Sequence, residues 1–202
     1  GGRDFDTIKF NSATQAHRQI GSSIKPFVWA AAVAAGMTPS TVIVDGPFER
    51  VDSIGRVWRP KNYSGTFEGP MPIRYALERS VNIVSIKLVE QLGEPYVRSY
   101  LQSCGIQTDI QGLTIAIGTP EATVLELCSA YGTFANGGWL HSPVMITDIK
   151  DRDGLTRDDY APPAPTRAMR EDVSYVVNHM LQGVATPAGG SLGYQPTAWR
   201  TH

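Results

Sequence analysis

From Pro26 to Ala35 every residue is apolar (Pro-Phe-Val-Trp-Ala-Ala-Ala-Val-Ala-Ala), which predicts a helix buried on all sides, entered near Ser22 or Ser23 and C-capped at Gly36. Its ten residues cannot cross a bilayer, which needs roughly 20. Elsewhere the pattern is amphipathic. Pro72 to Arg79 reads as helix, and so does Ile83 to Leu92, where Ile83, Ile86, Val89 and Leu92 recur at helical spacing. Glu94 to Cys104 reads as a helix opened by Pro95 and stopped at Gly105. Apolar spacing from Val124 to Phe134, ended by Asn136-Gly137, predicts a scaffold helix. Glu171 to Val184 carries acidic residues in its first turn and Val173, Val176, Val177, Met180, Leu181 and Val184 on one stripe.

Strand signals are fewer. Gly1 to Phe10 fits the end of a sheet strand, Asn11 to Ile20 the approach to the buried helix, and Thr41 to Val44 a strand before the turn Asp45-Gly46-Pro47. Glu49 to Gly69 is rich in turn formers. Alternation makes Pro143 to Lys150 a strand and Asp151 to Gly154 its turn. Pro162 to Pro165 marks a loop, and Gly189, Gly190 and Gly193 form another before Thr197 to His202.

Composition narrows the class. With 202 residues, 42% hydrophobic and 18% charged, the chain has the profile of one globular domain with a sizeable core. Its 18 basic and 19 acidic residues give no excess that would attract nucleic acid. Cys104, Cys128 and four scattered histidines lack metal-ligand spacing; the cysteines are read as buried or inert free thiols, with a bridge between them left open. The start at Gly1-Gly2-Arg3, without methionine or signal peptide, is read as cut from a longer protein.

One stretch carries candidate chemistry. In Gly21-Ser22-Ser23-Ile24-Lys25-Pro26-Phe27 a hydroxyl and an amine stand three residues apart at a helix start, on one face, so that Lys25 can reach Ser22. Gly21 permits a sharp turn, and Pro26 is tolerated in the first helical turn. A serine is a weak nucleophile until a neighbour takes its proton, and a lysine can do so only while neutral. Desolvation and nearby positive charge at a buried helix start both lower a lysine pKa. By themselves the four residues favour a capping serine beside a solvated lysine. The flanks change the reading.

The run Phe10-Asn11-Ser12-Ala13-Thr14-Gln15-Ala16-His17-Arg18-Gln19-Ile20-Gly21-Ser22-Ser23-Ile24-Lys25-Pro26-Phe27 resembles the nucleophile region of class A penicillin-binding proteins, the bifunctional cell-wall synthases, departing at Ile20, where proline is common. Trp58-Arg59-Pro60-Lys61-Asn62-Tyr63 resembles that family's Trp-x-Pro-x-Asn-Tyr segment, its aromatics read as packing the loop onto the domain. Ser80-Val81-Asn82, after Arg74-Tyr75-Ala76-Leu77-Glu78-Arg79, resembles the second motif, in which both side chains point into one cleft if the link is a loop or a strained turn. Leu113 to Gly138, with its Ala-Asn-Gly-Gly ending, resembles the family's core helix region.

The resemblance implies an α+β fold of the penicillin-binding protein and serine β-lactamase type, a helical region plus an antiparallel sheet. No Lys-Thr-Gly, Lys-Ser-Gly or His-Thr-Gly occurs in the chain, so it is read as an incomplete transpeptidase domain, 1–202, with its C-terminal strands missing. It implies a peptidoglycan D,D-transpeptidase in which Ser22 is acylated, Lys25 takes its proton, Ser80 relays a proton to the leaving amine and Asn82 holds the substrate amide. Stem peptides and β-lactams are the implied partners, with no metal or cofactor. The implied place is the periplasmic, extracytoplasmic face of the bacterial membrane, with the anchor outside this chain. Because one oxyanion donor belongs to the third motif, and losing one costs about 100- to 1,000-fold, residues 1–202 alone are expected to be inactive or weakly active. Two rivals remain: a serine β-lactamase-like hydrolase, for which Glu121 and Glu126 are the candidate carboxylates although both fit the scaffold better, and a penicillin-sensing module without turnover.

Overall fold

The computed structural model describes residues 6, 9–51, 54–160 and 162–185. In chain order these form β1 (Arg18–Gln19), a 3₁₀ turn (Gly21–Ile24), α1 (Lys25–Ala34), β2 (Val42–Asp45), β3 (Arg50–Val51), β4 (Val57–Trp58), β5 (Gly69–Pro72), α2 (Ile73–Glu78), α3 (Asn82–Leu92) and α4 (Glu94–Ser103). A second 3₁₀ turn (Leu113–Ile117), β6 (Glu121–Ala122), α5 (Val124–Ala135), β7 (Trp139–Leu140), β8 (Asp148–Lys150), β9 (Thr156–Asp159), β10 (Thr166–Arg167) and α6 (Glu171–Val184) follow. Every strand among them pairs in a two-stranded antiparallel ladder: β1 with β6, β2 with β5, β3 with β4, β7 with β10 and β8 with β9. The mixed helical and antiparallel class expected from the sequence is therefore present.

The apolar run sits where its pattern demands. α1 is the axis of the core, with Phe27 through Ala32 wholly buried, and α2, α3, α4 and α6 pack around it. Trp29 satisfies its one polar atom by donating from Nε1 to the Ile73 carbonyl at 2.7 Å. Burying a side chain of this size stabilises the fold by about 3 kcal/mol, and truncating it to alanine costs about 3–5 kcal/mol because a cavity remains. At the end of α1, Gly36 N–H bonds to Val33 O and Met37 N–H to Ala32 O, a Schellman closure with Gly36 in the left-handed position. In α3 Ile83, Ile86 and Val89 are buried, and in α6 Val173, Val177 and Met180, as their spacing requires.

Several expectations are corrected. Only Asp148–Lys150 of the 143–150 stretch is strand; Val144, Met145 and Ile146 are exposed, so alternation here has no buried face to serve. Asp45 ends β2 instead of opening a turn, and the turn-rich 49–69 stretch contains the β3–β4 hairpin. The start of α5 is exposed at Val124 and Leu125, its buried face beginning at Ala130. Both thiols are free, yet only Cys104 is buried; Cys128 lies exposed on α5. Trp58 does pack its loop, edge-on to Phe48 at 6.1 Å, but Tyr63 is fully exposed. The strand expected at 1–10 falls largely, and the loop at 189–193 and the segment 197–202 wholly, outside the described residues.

Candidate active site

The Ser22 turn is shaped by two backbone strands of contact. Ile20 N–H donates to Pro120 O at 3.0 Å, a bond that proline at this position could not make, and Gly21 N–H donates to Gly118 O at 3.0 Å. Tyr131, edge-on to Phe27 at 5.2 Å, donates from its hydroxyl to Ser23 O at 2.9 Å. Gly118 has φ +85°, and a Cβ there would lie 1.9 Å from Gly21 O, so the close approach needs glycine. Sequence reasoning missed Gly118; the proximity of two backbones leaves no periodic signature.

Ser22 is exposed at this turn, and the chain then enters α1 with Lys25 buried to 1% exposure. Ser22, Ser23, Lys25, Pro26, Leu77, Ser80, Tyr131, Leu181 and Val184 line one cleft of about 410 Å³. The sequence-predicted Ser22, Lys25 and Ser80 thus converge on a single concavity. Asn82 joins them through its carboxamide. Lys25 Nζ donates to Ser80 Oγ at 2.9 Å, to Asn82 Oδ1 at 2.7 Å and to the Ser80 carbonyl. Burial lowers its pKa from 10.5 to about 8. Desolvation alone accounts for this, without the nearby positive charge anticipated from the helix start. The expected reach toward Ser22 takes a different form: among the described residues no hydrogen bond joins Nζ to Ser22 Oγ, because the three protons of the ammonium are all given to the Ser80–Asn82 segment.

That segment is strained. Ser80 has φ +56°, and among the described residues no other non-glycine has positive φ. Its N–H bonds to Leu77 O at 3.0 Å and Val81 N–H to Ala76 O at 2.9 Å, so Ser80 occupies the left-handed position of a Schellman closure where glycine is the usual occupant. A left-handed L-residue costs roughly 1–2 kcal/mol, and such outliers cluster at functional sites. Val81 then returns to extended backbone and Asn82 begins α3. The strained turn expected between Ser80 and Asn82 is the end of one helix abutting the start of the next.

Asn82 is oriented on both sides of its amide. Oδ1 accepts from Lys25, while Nδ2 donates to Lys61 O at 3.1 Å, leaving one Nδ2 proton for a ligand. Glu126, one of the two carboxylates considered for water activation, is used in a capping box: it accepts from Thr123 N at 2.8 Å while Thr123 Oγ1 accepts from Glu126 N. The Thr123 amide holds its carboxyl below the usual range. Glu121 lies on β6. Neither lines the cleft. Among the described residues no group of three or more His, Cys, Asp or Glu could hold a metal. No helix among them is long and apolar enough to cross a membrane.

Residues 2–200 match the family described as the penicillin binding protein transpeptidase domain. The chain is 41% identical over 166 residues to penicillin-binding protein 1A of Pseudomonas aeruginosa, covering 81% of this chain and 20% of that one. Against penicillin-binding protein 1A of Neisseria lactamica it is 38% identical over 214 residues, covering 100% of this chain and 27% of the relative. The chain thus spans about a fifth to a quarter of the length of these curated relatives. In structure it is similar to a crystal structure of penicillin-binding protein 1A from Haemophilus influenzae, with TM-score 0.84 and 29% identity over 97% of this chain and 34% of that one. The fold is also shared with penicillin-binding protein A of M. tuberculosis, described as an imipenem acyl-enzyme complex, with TM-score 0.77 and 22% identity over 89% of this chain and 48% of that one.

Proposed function

The chain belongs to the penicillin-binding protein transpeptidase domain family, and from that premise we propose that it provides the acyl-transfer site of a peptidoglycan D,D-transpeptidase. The observation that carries the reading is the buried Lys25 amine, with a pKa lowered to about 8, hydrogen-bonded to the Ser80 hydroxyl in the cleft that Ser22 also lines.

While protonated, Lys25 has no lone pair to offer. Once it loses a proton it can accept the one on Ser22 Oγ. Ser22 Oγ then bonds to the carbonyl carbon between the last two D-alanines of a stem peptide, and the carbon–nitrogen bond to the terminal D-alanine breaks. The proton taken from Ser22 passes from Lys25 through Ser80 Oγ to the leaving amine, along the 2.9 Å contact. The remaining Asn82 Nδ2 proton grips a backbone carbonyl of the substrate. An amine of a second strand then attacks the ester, yields its proton back along the same relay, and restores Ser22 as the cross-link forms. A β-lactam acylates the same oxygen. Stem peptides and β-lactams are the partners in this reading, and the extracytoplasmic face of the bacterial membrane is its place. Commitment of Glu126 to its capping box weighs against a β-lactamase-like hydrolase.

The test is release of D-alanine and formation of cross-linked dimer from a synthetic pentapeptide stem by the full-length protein. Both are expected in the wild type and neither in Ser22→Ala. Release without any dimer, in the presence of an acceptor amine, would contradict transfer in favour of hydrolysis.

A further inference from the structure

α3 begins without a cap of its own. Its N-cap residue is Val81, which has no polar side chain, yet the first amides of a helix need acceptors. Asn62 supplies one from 20 residues upstream: its Oδ1 accepts from Asn82 N and Ile83 N, both at 3.1 Å. On the other side, Asn62 Nδ2 donates to Asp45 Oδ1 at 2.8 Å and Oδ2 at 2.9 Å, and to Thr66 O at 2.9 Å. Backbone amides can only donate and the Thr66 carbonyl can only accept, so these partners admit one orientation of the Asn62 amide. Asp45 is itself 1% exposed, at the end of β2, and also accepts from Glu68 N at 2.9 Å. Next to Asn62, the Lys61 carbonyl accepts from Asn82 Nδ2. The same two-residue segment therefore holds both the backbone at Asn82 and its side chain, whose other end holds the Lys25 amine.

We infer that Asp45 and Asn62 are positioning residues for the acyl-transfer site: the buried Asp45 carboxylate fixes the Asn62 amide, and Asn62 caps α3 so that Asn82 is aimed at Lys25. The inference rests on the catalytic reading of Lys25 and Asn82. It goes beyond the loop-packing role read from the aromatics of this segment, because neither Asp45 nor Asn62 touches the cleft that Ser22 lines.

The test is a side-chain exchange, read by acylation with a fluorescent penicillin and by melting of the full-length protein. Asn62→Ala removes the cap and is expected to slow acylation by about 10- to 100-fold, the scale of a small misplacement of catalytic groups. Asn62→Asp keeps an acceptor for the helix amides but sets two carboxylates against each other, and is expected to be as slow. Combining it with Asp45→Asn restores a donor facing an acceptor and still leaves an oxygen for Glu68 N, while the oxygen at position 62 still meets Thr66 O without a proton, so acylation is expected to recover in part, to at least about threefold above Asn62→Asp alone, a coupling that independent sites would not show. Melting temperature should follow the same exchange. An exchange protein no faster than Asn62→Asp alone overturns the coupling. A folded Asn62→Ala protein that acylates at the wild-type rate overturns the positioning role even if it melts lower. Ser22→Ala runs beside them: label surviving in that variant contradicts the serine reading, while the melting of the exchange set still judges the Asp45–Asn62 coupling.

Discussion

Ser80 gives Lys25 two acceptors from one residue, its carbonyl and its hydroxyl, because its backbone is left-handed at the end of α2. The conformation and the contact meet in one residue, and substitution separates them. Ser80→Ala and Ser80→Gly both delete Oγ and are expected to lose acylation alike, by about 100-fold or more if the hydroxyl moves a proton. Glycine, however, is at ease with positive φ, so Ser80→Gly should be about 1 kcal/mol more stable than Ser80→Ala in denaturant. Equal stability would mean that the turn is not strained.

The Lys25 amine sets the pH response. Its native pKa, about 8, is below the 10.5 of the free side chain, so between these values the unfolded chain binds more protons than the native one. Stability contributed by this group therefore rises as pH rises from about 8 to 10.5, and is absent below that window. Acylation is expected to climb with pH through about 8 as the neutral amine appears. Lys25→Arg keeps the charge but cannot act as a base, so it should acylate as slowly as Lys25→Ala. Near-normal activity in the arginine variant would show that Lys25 acts only as a charge.

Gly118 and Gly21 meet backbone to backbone, and the Ser22 turn hangs on that meeting. Gly118→Ala places a Cβ 1.9 Å from Gly21 O and should destabilise the fold by about 2–4 kcal/mol, with loss of acylation in whatever protein remains folded. Gly36→Ala is the control: it is left-handed at the end of α1 but nothing lies within 4 Å, so only the backbone strain of about 1–2 kcal/mol is expected. Matching melting losses in the two variants would count against the close approach.

The thiols offer a check on the packing. Cys128 is exposed on α5, whereas burial pushes Cys104 up to about 12. A thiol reagent at neutral pH should modify Cys128 alone in the native protein and both residues after denaturation. Rapid native labelling of Cys104 would mean that the core around α4 is open.

What could be read in the sequence was whatever depends on local spacing. The unbroken apolar run from Pro26 and the stripe of α6 follow from helical geometry and are found where the pattern placed them, whereas the three-residue step brings Ser22 and Lys25 to one cleft without the hydrogen bond it predicted. Contacts set by the meeting of distant segments were not legible. Nothing near Lys25 announces that its acceptors come from Ser80 and Asn82, and a serine is an unexpected occupant of a left-handed helix end. Val81 hides the capping of α3 because its acceptor, Asn62, comes from another loop. Alternation from Pro143 to Lys150 misled for the opposite reason: it describes a strand face that no partner buries.

The central claim is that Ser22, and not its neighbour, is the acylated nucleophile. Mass spectrometry of the tryptic peptide after the full-length protein reacts with a penicillin tests it most directly. The adduct should map to Ser22, vanish in Ser22→Ala and persist in Ser23→Ala, since Ser23 contributes its carbonyl to Tyr131. An adduct on Ser23, or one that survives Ser22→Ala, would contradict the account.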